Sequence, residues 1–283
     1  MPEVAHNLFS LIRDGTERLR HAVPEPRREA IRIWNDLTGR SHADATFHRD
    51  PQVEPDTVAL FEQAVARRSR GEPLAHVTGR IGFRTITIMS DGRALIPRPE
   101  TEGLIDLLLE RVRTGRIADI GTGSGCLALS LAQEGDFTEI IGVDSSAKAL
   151  SLARVNRASL GSRVSLVQGD LCRAFGHGML DALISNPPYL TVAEYVSLDP
   201  SVRDWEPEAA LVSGADGMDA TSRLLDQGRD VLRPGGWLAL EVDCSRAAIA
   251  AAQACALAWD DVTVLMDLFG RERYLLARRS TTR

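Results

Sequence analysis

From position 116 onward the chain alternates short apolar runs with longer amphipathic ones, and few folds accommodate that rhythm. Apolar runs of strand length occupy 116–120, 139–143, 164–168, 180–185, 236–242, 262–266 and 273–278. Apolar residues at helical spacing fill 124–134, 146–159, 217–232 and 245–258. Strands this apolar need cover on both faces, and the intervening helices supply it. The expected architecture is therefore α/β, a doubly wound, mostly parallel seven-stranded sheet. The last two runs are joined only by a short segment through Gly270, which predicts an antiparallel edge.

The N-terminal part has another period. Leu8, Leu11, Ile12 and Leu19 fall at helical spacing, as do Ala30, Ile33, Trp34 and Leu37, and then Val58, Phe61 and Val65. The third of these segments opens at Pro55-Asp56 and stops at Gly71, so residues 1–75 read as a small all-helical domain. Phe83, Ile86 and Ile88 then alternate, and Asp91-Gly92 precedes Ala94–Ile96, which predicts a β-hairpin linker over 76–97. A helical run over 100–113, with Leu104, Ile105, Leu108 and Leu109 on one face, opens the second domain, 98–283.

Composition narrows the function classes. The net charge of the 283 residues is −6, and residues 97–283 alone carry 19 basic against 26 acidic side chains. That half repels phosphate backbones on average, so direct nucleic-acid binding is not expected. Cys126, Cys172, Cys244 and Cys255 are far apart and form no CxxC pair, which signals neither a zinc site nor a disulfide framework and fits a reduced cytoplasm. His6, Asn7, Arg13 and Asp14 interrupt the N-terminus, and no run approaches the roughly 20 apolar residues that span a bilayer, so no membrane association is expected.

Three segments carry chemistry, each at the end of an expected strand. The first is Ala118-Asp119-Ile120-Gly121-Thr122-Gly123-Ser124-Gly125-Cys126. In a doubly wound sheet, ligands sit at the carboxyl ends of the strands, where glycines let the backbone approach closely. The residues Gly121, Thr122, Gly123, Ser124 and Gly125 suit a nucleotide-type cofactor. Cys126 stands where a dinucleotide fingerprint wants a third Gly or Ala, which disfavours NAD. A tight turn without a ligand is the alternative. The second segment is Ile140–Asp144, where the carboxylate can accept both ribose hydroxyls of a nucleoside, or else cap the following helix together with Ser145 and Ser146. Similarly, Asp170 can accept from an adenine amine and Leu171 can cover the ring, with a plain loop acid as the competing reading.

The third segment is Asn186-Pro187-Pro188-Tyr189, directly after the apolar run 180–185. Two prolines fix the backbone and donate no amide hydrogen, which leaves carbonyls to accept. Asn186 offers a side-chain carbonyl, Pro187 a main-chain carbonyl and Tyr189 an aromatic face. Together they suit a planar NH2 group.

These motifs resemble the class I S-adenosyl-L-methionine-dependent methyltransferases that modify planar amides or exocyclic amines. More specifically, the chain resembles the peptide chain release factor glutamine N5-methyltransferases of the PrmC/HemK family. The further residues are Gly71-Glu-Pro-Leu-Ala-His-Val-Thr-Gly79, Leu95-Ile-Pro-Arg-Pro-Glu-Thr-Glu102, Glu206-Pro207 with Ala210-Leu211, and Gly214-Ala-Asp-Gly-Met218. The resemblance implies a Rossmann-like methyltransferase domain and a helical domain that docks a protein substrate. It implies S-adenosyl-L-methionine as cofactor, held by Gly121–Gly125, Asp144, Asp170, Leu171 and Asn186, with Asn186, Pro187 and Tyr189 catalytic and Pro188 beside them at the substrate. It places Arg98, Glu100 and Thr101 over the cofactor pocket, although Thr101 is equally readable as a helix cap. The implied partners are bacterial class 1 release factors, modified on the glutamine of a Gly-Gly-Gln loop by a cytoplasmic monomer. The family's usual Glu-Ile-Gly at the end of the fifth strand is here Glu241-Val242-Asp243-Cys244, which puts the following loop in question.

Rival readings differ in visible ways. An adenine-N6 DNA methyltransferase uses the same Asn-Pro-Pro-Tyr logic on a flipped base but needs a basic channel. A ribosomal protein glutamine methyltransferase carries a different segment where this chain has Leu95–Thr101. A non-catalytic nucleotide-binding module or NAD enzyme leaves Asn186–Tyr189 without a purpose. His177, the only histidine after residue 76, lies in a Gly-rich loop and reads as a surface residue.

Overall fold

A computed structural model describes residues 7–39 and 53–281. Residues 1–6, part of the N-terminus read above, residues 40–52 of the helical stretch, and residues 282–283 lie outside the described residues. The chain divides into two compact units, one of residues 1–80 with 199–205 and one of 81–198 with 206–283.

In the first unit, α1 (Leu8–Leu19) is capped by the Asn7 side chain, which accepts from Ser10 N at 2.7 Å. Helices α2 (Pro26–Thr38) and α3 (Pro55–Arg68) both open on a proline, whose missing N–H costs nothing there, and α4 (Leu74–Thr78) ends on Gly79 in the left-handed conformation. Their apolar faces bury Leu11, Leu19, Ile33, Trp34, Phe61 and Val65 in one core. Phe61 packs edge-on against Trp34, with ring centroids 6.2 Å apart, and lies over Gly15, where a Cβ would stand 2.8 Å from its ring.

At the start of the second unit, β1 (Arg80–Phe83), whose first residue is the last of the first unit, and β2 (Ile86–Met89) form a two-stranded hairpin. The expected pairing of 83–88 with Ala94–Ile96 through Asp91-Gly92 is not what forms. The turn is at Arg84-Thr85, with Arg84 at φ +51°, and the Arg84 guanidinium bonds Asp106 and Glu134. Those ion pairs hold a non-glycine residue in a conformation that sequence statistics disfavour. Phe83, Ile86 and Ile88 pack into this unit's own core.

The sheet follows. Its elements are α5 (Pro99–Leu109), β3 (Thr114–Ile120), α6 (Cys126–Glu134), β4 (Asp136–Asp144), α7 (Ala147–Ser159), β5 (Ser165–Gln168), β6 (Leu180–Ser185), α8 (Val192–Val196), α10 (Asp219–Val231), β7 (Leu232–Glu241), α11 (Ala247–Ala256), β8 (Trp259–Met266) and β9 (Glu272–Arg279). The short α9 (Pro200–Arg203) belongs to the first unit. The strand order is β5-β4-β3-β6-β7-β9-β8, with β3 to β7 mutually parallel and β9 antiparallel to both its neighbours. The antiparallel strand thus lies one place in from the edge, because the β8–β9 hairpin folds back into the slot beside β7.

The central strands bury both faces, alternating residue by residue. Ala118, Leu183, Leu238 and Leu240 face α10 and α11, whereas Ile117, Ala182, Ile184 and Ala239 face α5 and α6. Winding reverses between β3 and β6, so a crevice opens at their carboxyl ends.

Candidate active site

The crevice is a cleft of about 380 Å³ at the carboxyl ends of β3, β4 and β6. Its floor is the turn Gly121–Ser124. Gly121 and Gly123 have φ of +71° and +57°, and a Cβ built on Gly121 meets nothing within 4 Å. The missing side chain therefore leaves open space in the cleft for a ligand. Gly125 (φ +87°) stands just outside the lining, where it starts α6 and packs against Leu129.

Asp119, near the end of β3 and two residues before the floor turn, is fully buried. Its Oδ2 accepts from Thr122 Oγ1 at 2.6 Å and from Ala128 N at 3.1 Å, so it caps α6 from the strand and fixes the turn. Burial pushes its carboxyl up to about 7 against the pull of these two bonds, with Asp144 adding to the rise.

Asp144 closes β4 at the cleft wall. Its Oδ2 accepts from Gly123 N at 2.9 Å and its Oδ1 from Ser146 N at 2.8 Å, so one carboxylate ties the glycine turn to the next loop. Ser146, not Asp144, caps α7, accepting from Ala149 N. Asp170 and Leu171 line the same wall, with Asp170 paired to Arg223 and Leu171 held at φ +49°. The polar groups and the open glycine cradle fit a nucleoside with a vicinal diol.

A strap of residues 93–98 forms the opposite side. Ala94 packs on Ala149 and Leu152 of α7. Ile96 N donates to Glu206 Oε2 at 2.9 Å, and the Arg98 guanidinium donates to Glu206 Oε1. The buried Glu206, quoted above only as part of a motif, is thus the anchor of the strap.

Asn186 enters the cleft from the end of β6, alongside Pro188. Its Nδ2 donates to Thr101 Oγ1 at 3.0 Å, and Thr101 Oγ1 donates to Glu241 Oε2 at 2.6 Å. Thr101 is buried in the first turn of α5, whose N-cap is Arg98, so it does not cap that helix. Pro187 is buried behind the lining, and Tyr189 also lies outside it. Burial, with Glu241 and Asp243 nearby, pushes the Tyr189 hydroxyl up to about 12 despite Arg273 and Arg98. The loop is held by Tyr189 N and Leu190 N, which both donate to Leu211 O.

The atypical segment after β7 has a visible purpose. Asp243 Oδ1 accepts from Ser245 N and pairs with Arg246, which also donates to Asp216 O and to Glu194 of α8. It therefore braces the two loops that flank Asn186–Tyr189.

The sequence reading passed over Asp119 and the Thr101–Glu241 contact. An acid within an apolar strand, three residues before a threonine, was a usable signal for Asp119. Glu241 was named only as the first residue of an atypical segment, and nothing local pointed to its contact, since its partner lies 140 positions away. Among the described residues no cluster of His, Cys, Asp and Glu could hold a metal ion, and no helix is long and apolar enough to cross a membrane.

Comparison with known proteins places the chain in a family. Residues 99–197 match the methyltransferase small domain family and residues 10–79 the PrmC N-terminal domain family. A protein of Deinococcus radiodurans named release factor glutamine methyltransferase is 38% identical over 277 residues, which cover 96% of this chain and 99% of that one. A protein of the same name from Nitratidesulfovibrio vulgaris is 38% identical over 281 residues, covering 96% and 95%. Among solved structures, a methyltransferase from Pyrococcus furiosus shares the sheet fold, with a TM-score of 0.52 and 20% identity over 68% of this chain and 88% of that one.

Proposed function

Since the chain belongs to the release factor glutamine methyltransferase family, we propose that it methylates the glutamine side chain in the Gly-Gly-Gln loop of bacterial class 1 peptide chain release factors. The observation that carries this reading is the position of Asn186. It stands at the end of β6, in the same cleft as the glycine turn and Asp144.

The residues that would hold S-adenosyl-L-methionine are Gly121–Ser124 at the floor, with Gly125 shaping the turn just behind them, Asp144 for the ribose hydroxyls, and Asp170 and Leu171 at the adenine. When bound, it supplies an electrophilic methyl on a sulfonium. The protein's own task concerns the acceptor. A carboxamide nitrogen is a poor nucleophile because its lone pair is delocalised, so catalysis consists of orienting it and favouring the charge that develops there. Positioning of this kind can contribute about 7 to 11 kcal/mol. Asn186 Oδ1 and the Pro187 carbonyl accept the two amide hydrogens, which aims the nitrogen and stabilises positive charge on it. Pro187 and Pro188 keep those acceptors rigid. Tyr189, next to Pro188 but outside the lining, would reach the substrate side chain only at the cleft's edge, where its neutral ring suits a cationic transition state.

No strong base is needed, because the amide proton becomes acidic only as the methyl arrives. Cys126, which lines the cleft, is pushed up to about 12 by burial and stays a thiol, so a covalent route through sulfur is disfavoured. We assign the helical unit to substrate docking, and take the enzyme to act as a cytoplasmic monomer without direct contact to nucleic acid. Fragmentation mass spectrometry of a treated release factor tests the atom assignment. One added methyl on the glutamine side chain supports the reading; a methyl on any other residue refutes it.

A further inference from the structure

The Asn186 carboxamide has two ends, and only one is useful. Its oxygen can accept from the acceptor amide, whereas its NH2 would meet the amide hydrogens donor to donor. Which end faces the cleft is decided by the two residues behind it. An ionised Glu241 can only accept, so the Thr101 hydroxyl must donate to it. The remaining lone pairs of Thr101 Oγ1 then need a donor, and the only donor on the Asn186 side chain is Nδ2. The polarity of this chain leaves Oδ1 for the cleft.

We propose that Thr101 and Glu241 are positioning residues for methyl transfer, which lock the Asn186 carboxamide with its oxygen toward the acceptor nitrogen. This deepens the glutamine reading above and rests on it. The lock is built to be stiff. Thr101 and Glu241 are both buried, on the first turn of α5 and the last residue of β7. That turn of α5 is itself fastened, because Tyr274 Oη donates to Glu100 O at 2.6 Å. Gly103 makes room for the tyrosine, since a Cβ there would lie 2.6 Å from its hydroxyl oxygen. Supporting groups of this kind fix the orientation of the group that touches substrate.

The lock depends on the charge of Glu241. Burial pushes its carboxyl up to about 7, opposed chiefly by the Thr101 hydrogen bond and Arg273. The groups facing it are Arg273 and Tyr274 from β9, Arg98 and Glu100 at the start of α5, Tyr189 from the loop after β6 and Cys126 from α6. Both tyrosines and the cysteine are pushed up to about 12 and keep one charge state near neutrality. Once protonated, Glu241 can donate to Thr101, whose hydrogen is then free to turn to Asn186 and draw Oδ1 inward. Turnover therefore falls as pH drops through about 7.

The test compares the full-length protein with Thr101→Val, Thr101→Ser and Glu241→Gln in methyl transfer to a purified release factor, from about pH 5.5 to 8.5. Calorimetry with S-adenosyl-L-methionine and thermal melting serve as controls for the pocket and the fold. Thr101→Val should lower kcat about 10²-fold with cofactor affinity unchanged, Thr101→Ser should restore most of it, and Glu241→Gln should remove the acid limb. A Thr101→Val protein with wild-type kcat, a serine variant no better than valine, or an unchanged acid limb in Glu241→Gln would each overturn the proposal. An Asp119→Asn variant separates the other carboxyl pushed to about 7; loss of the limb there but not in Glu241→Gln also overturns it. A readout without turnover keeps the two readings distinct. The Asn186 side-chain NH2 signals in 15N-resolved NMR, identified by their loss in Asn186→Ala, should shift with a midpoint near pH 7 and not do so in Glu241→Gln. If they shift as expected but the wild type methylates no release factor, the glutamine reading fails and the lock stands; if they do not shift, the lock fails.

Discussion

Truncating Asp144 to alanine separates the turn-bracing task its carboxylate has in the structure from the ribose-binding task proposed for it. The side chain accepts from Gly123 N and Ser146 N at 2.9 and 2.8 Å, so it organises the turn that forms the cleft floor. Hydrogen bonds to a charged acceptor contribute roughly 1.5 to 3 kcal/mol each when buried. Asp144 is only half-buried and water can replace it at both N–H groups, so the loss of folding stability should be about 1 to 2 kcal/mol. The cofactor loses more, because each ribose hydroxyl would forfeit a bond to the same carboxylate. Two such bonds at the low end amount to about 3 kcal/mol, or about 10²-fold in Kd. Isothermal calorimetry with S-adenosyl-L-methionine measures the second effect, and urea unfolding without cofactor measures the first. If stability drops while Kd stays within about threefold of wild type, Asp144 is a turn brace alone and the ribose assignment is wrong.

Three further substitutions test other parts of the site. Asn186→Ala should reduce transfer by about 10² to 10³ while leaving cofactor affinity within a few-fold; a normal rate in that variant removes the asparagine from the mechanism. Asp119→Asn concerns stability. Burial raises the folded carboxyl from 3.8 to about 7, so its favourable protonated state is complete below about pH 4 and lost as pH rises through 7. Wild type should lose on the order of 4 kcal/mol over that window relative to the asparagine variant, and identical urea midpoints at pH 5 and pH 8 for both proteins would contradict it. Gly217→Ala places a Cβ against the Tyr189 carbonyl oxygen and Arg246 Nε at φ +78°, so the loop after β6 must shift. Melting temperature and transfer rate should both fall, and wild-type values for both would show that the loop tolerates displacement.

What the sequence disclosed follows from whether a signal was local. The strands of the sheet were legible because the central ones are apolar on both faces, and 180–185 coincides with β6. The glycine turn, Asp144 and Asn186–Tyr189 were legible because each is a short motif at a strand end. The hairpin turn was misplaced because Arg84 takes a left-handed conformation that ion pairs to Asp106 and Glu134 sustain, while Asp91-Gly92 offered the stronger local pattern. The helix α8 has five residues and an exposed apolar pair, Val192 and Val196, so it shows no burial period. The link from Asn186 through Thr101 to Glu241 joins positions 85 and 140 apart, which only the folded sheet brings together.

The central claim is that the cleft delivers a methyl group to a glutamine amide of a release factor. Its most direct test is transfer from radiolabelled S-adenosyl-L-methionine to a purified class 1 release factor, to the same factor with its loop glutamine changed to alanine, and to duplex DNA. Label on the unaltered factor alone is the expected result. Label on the alanine variant or on DNA, or none on any acceptor despite cofactor binding, would contradict it.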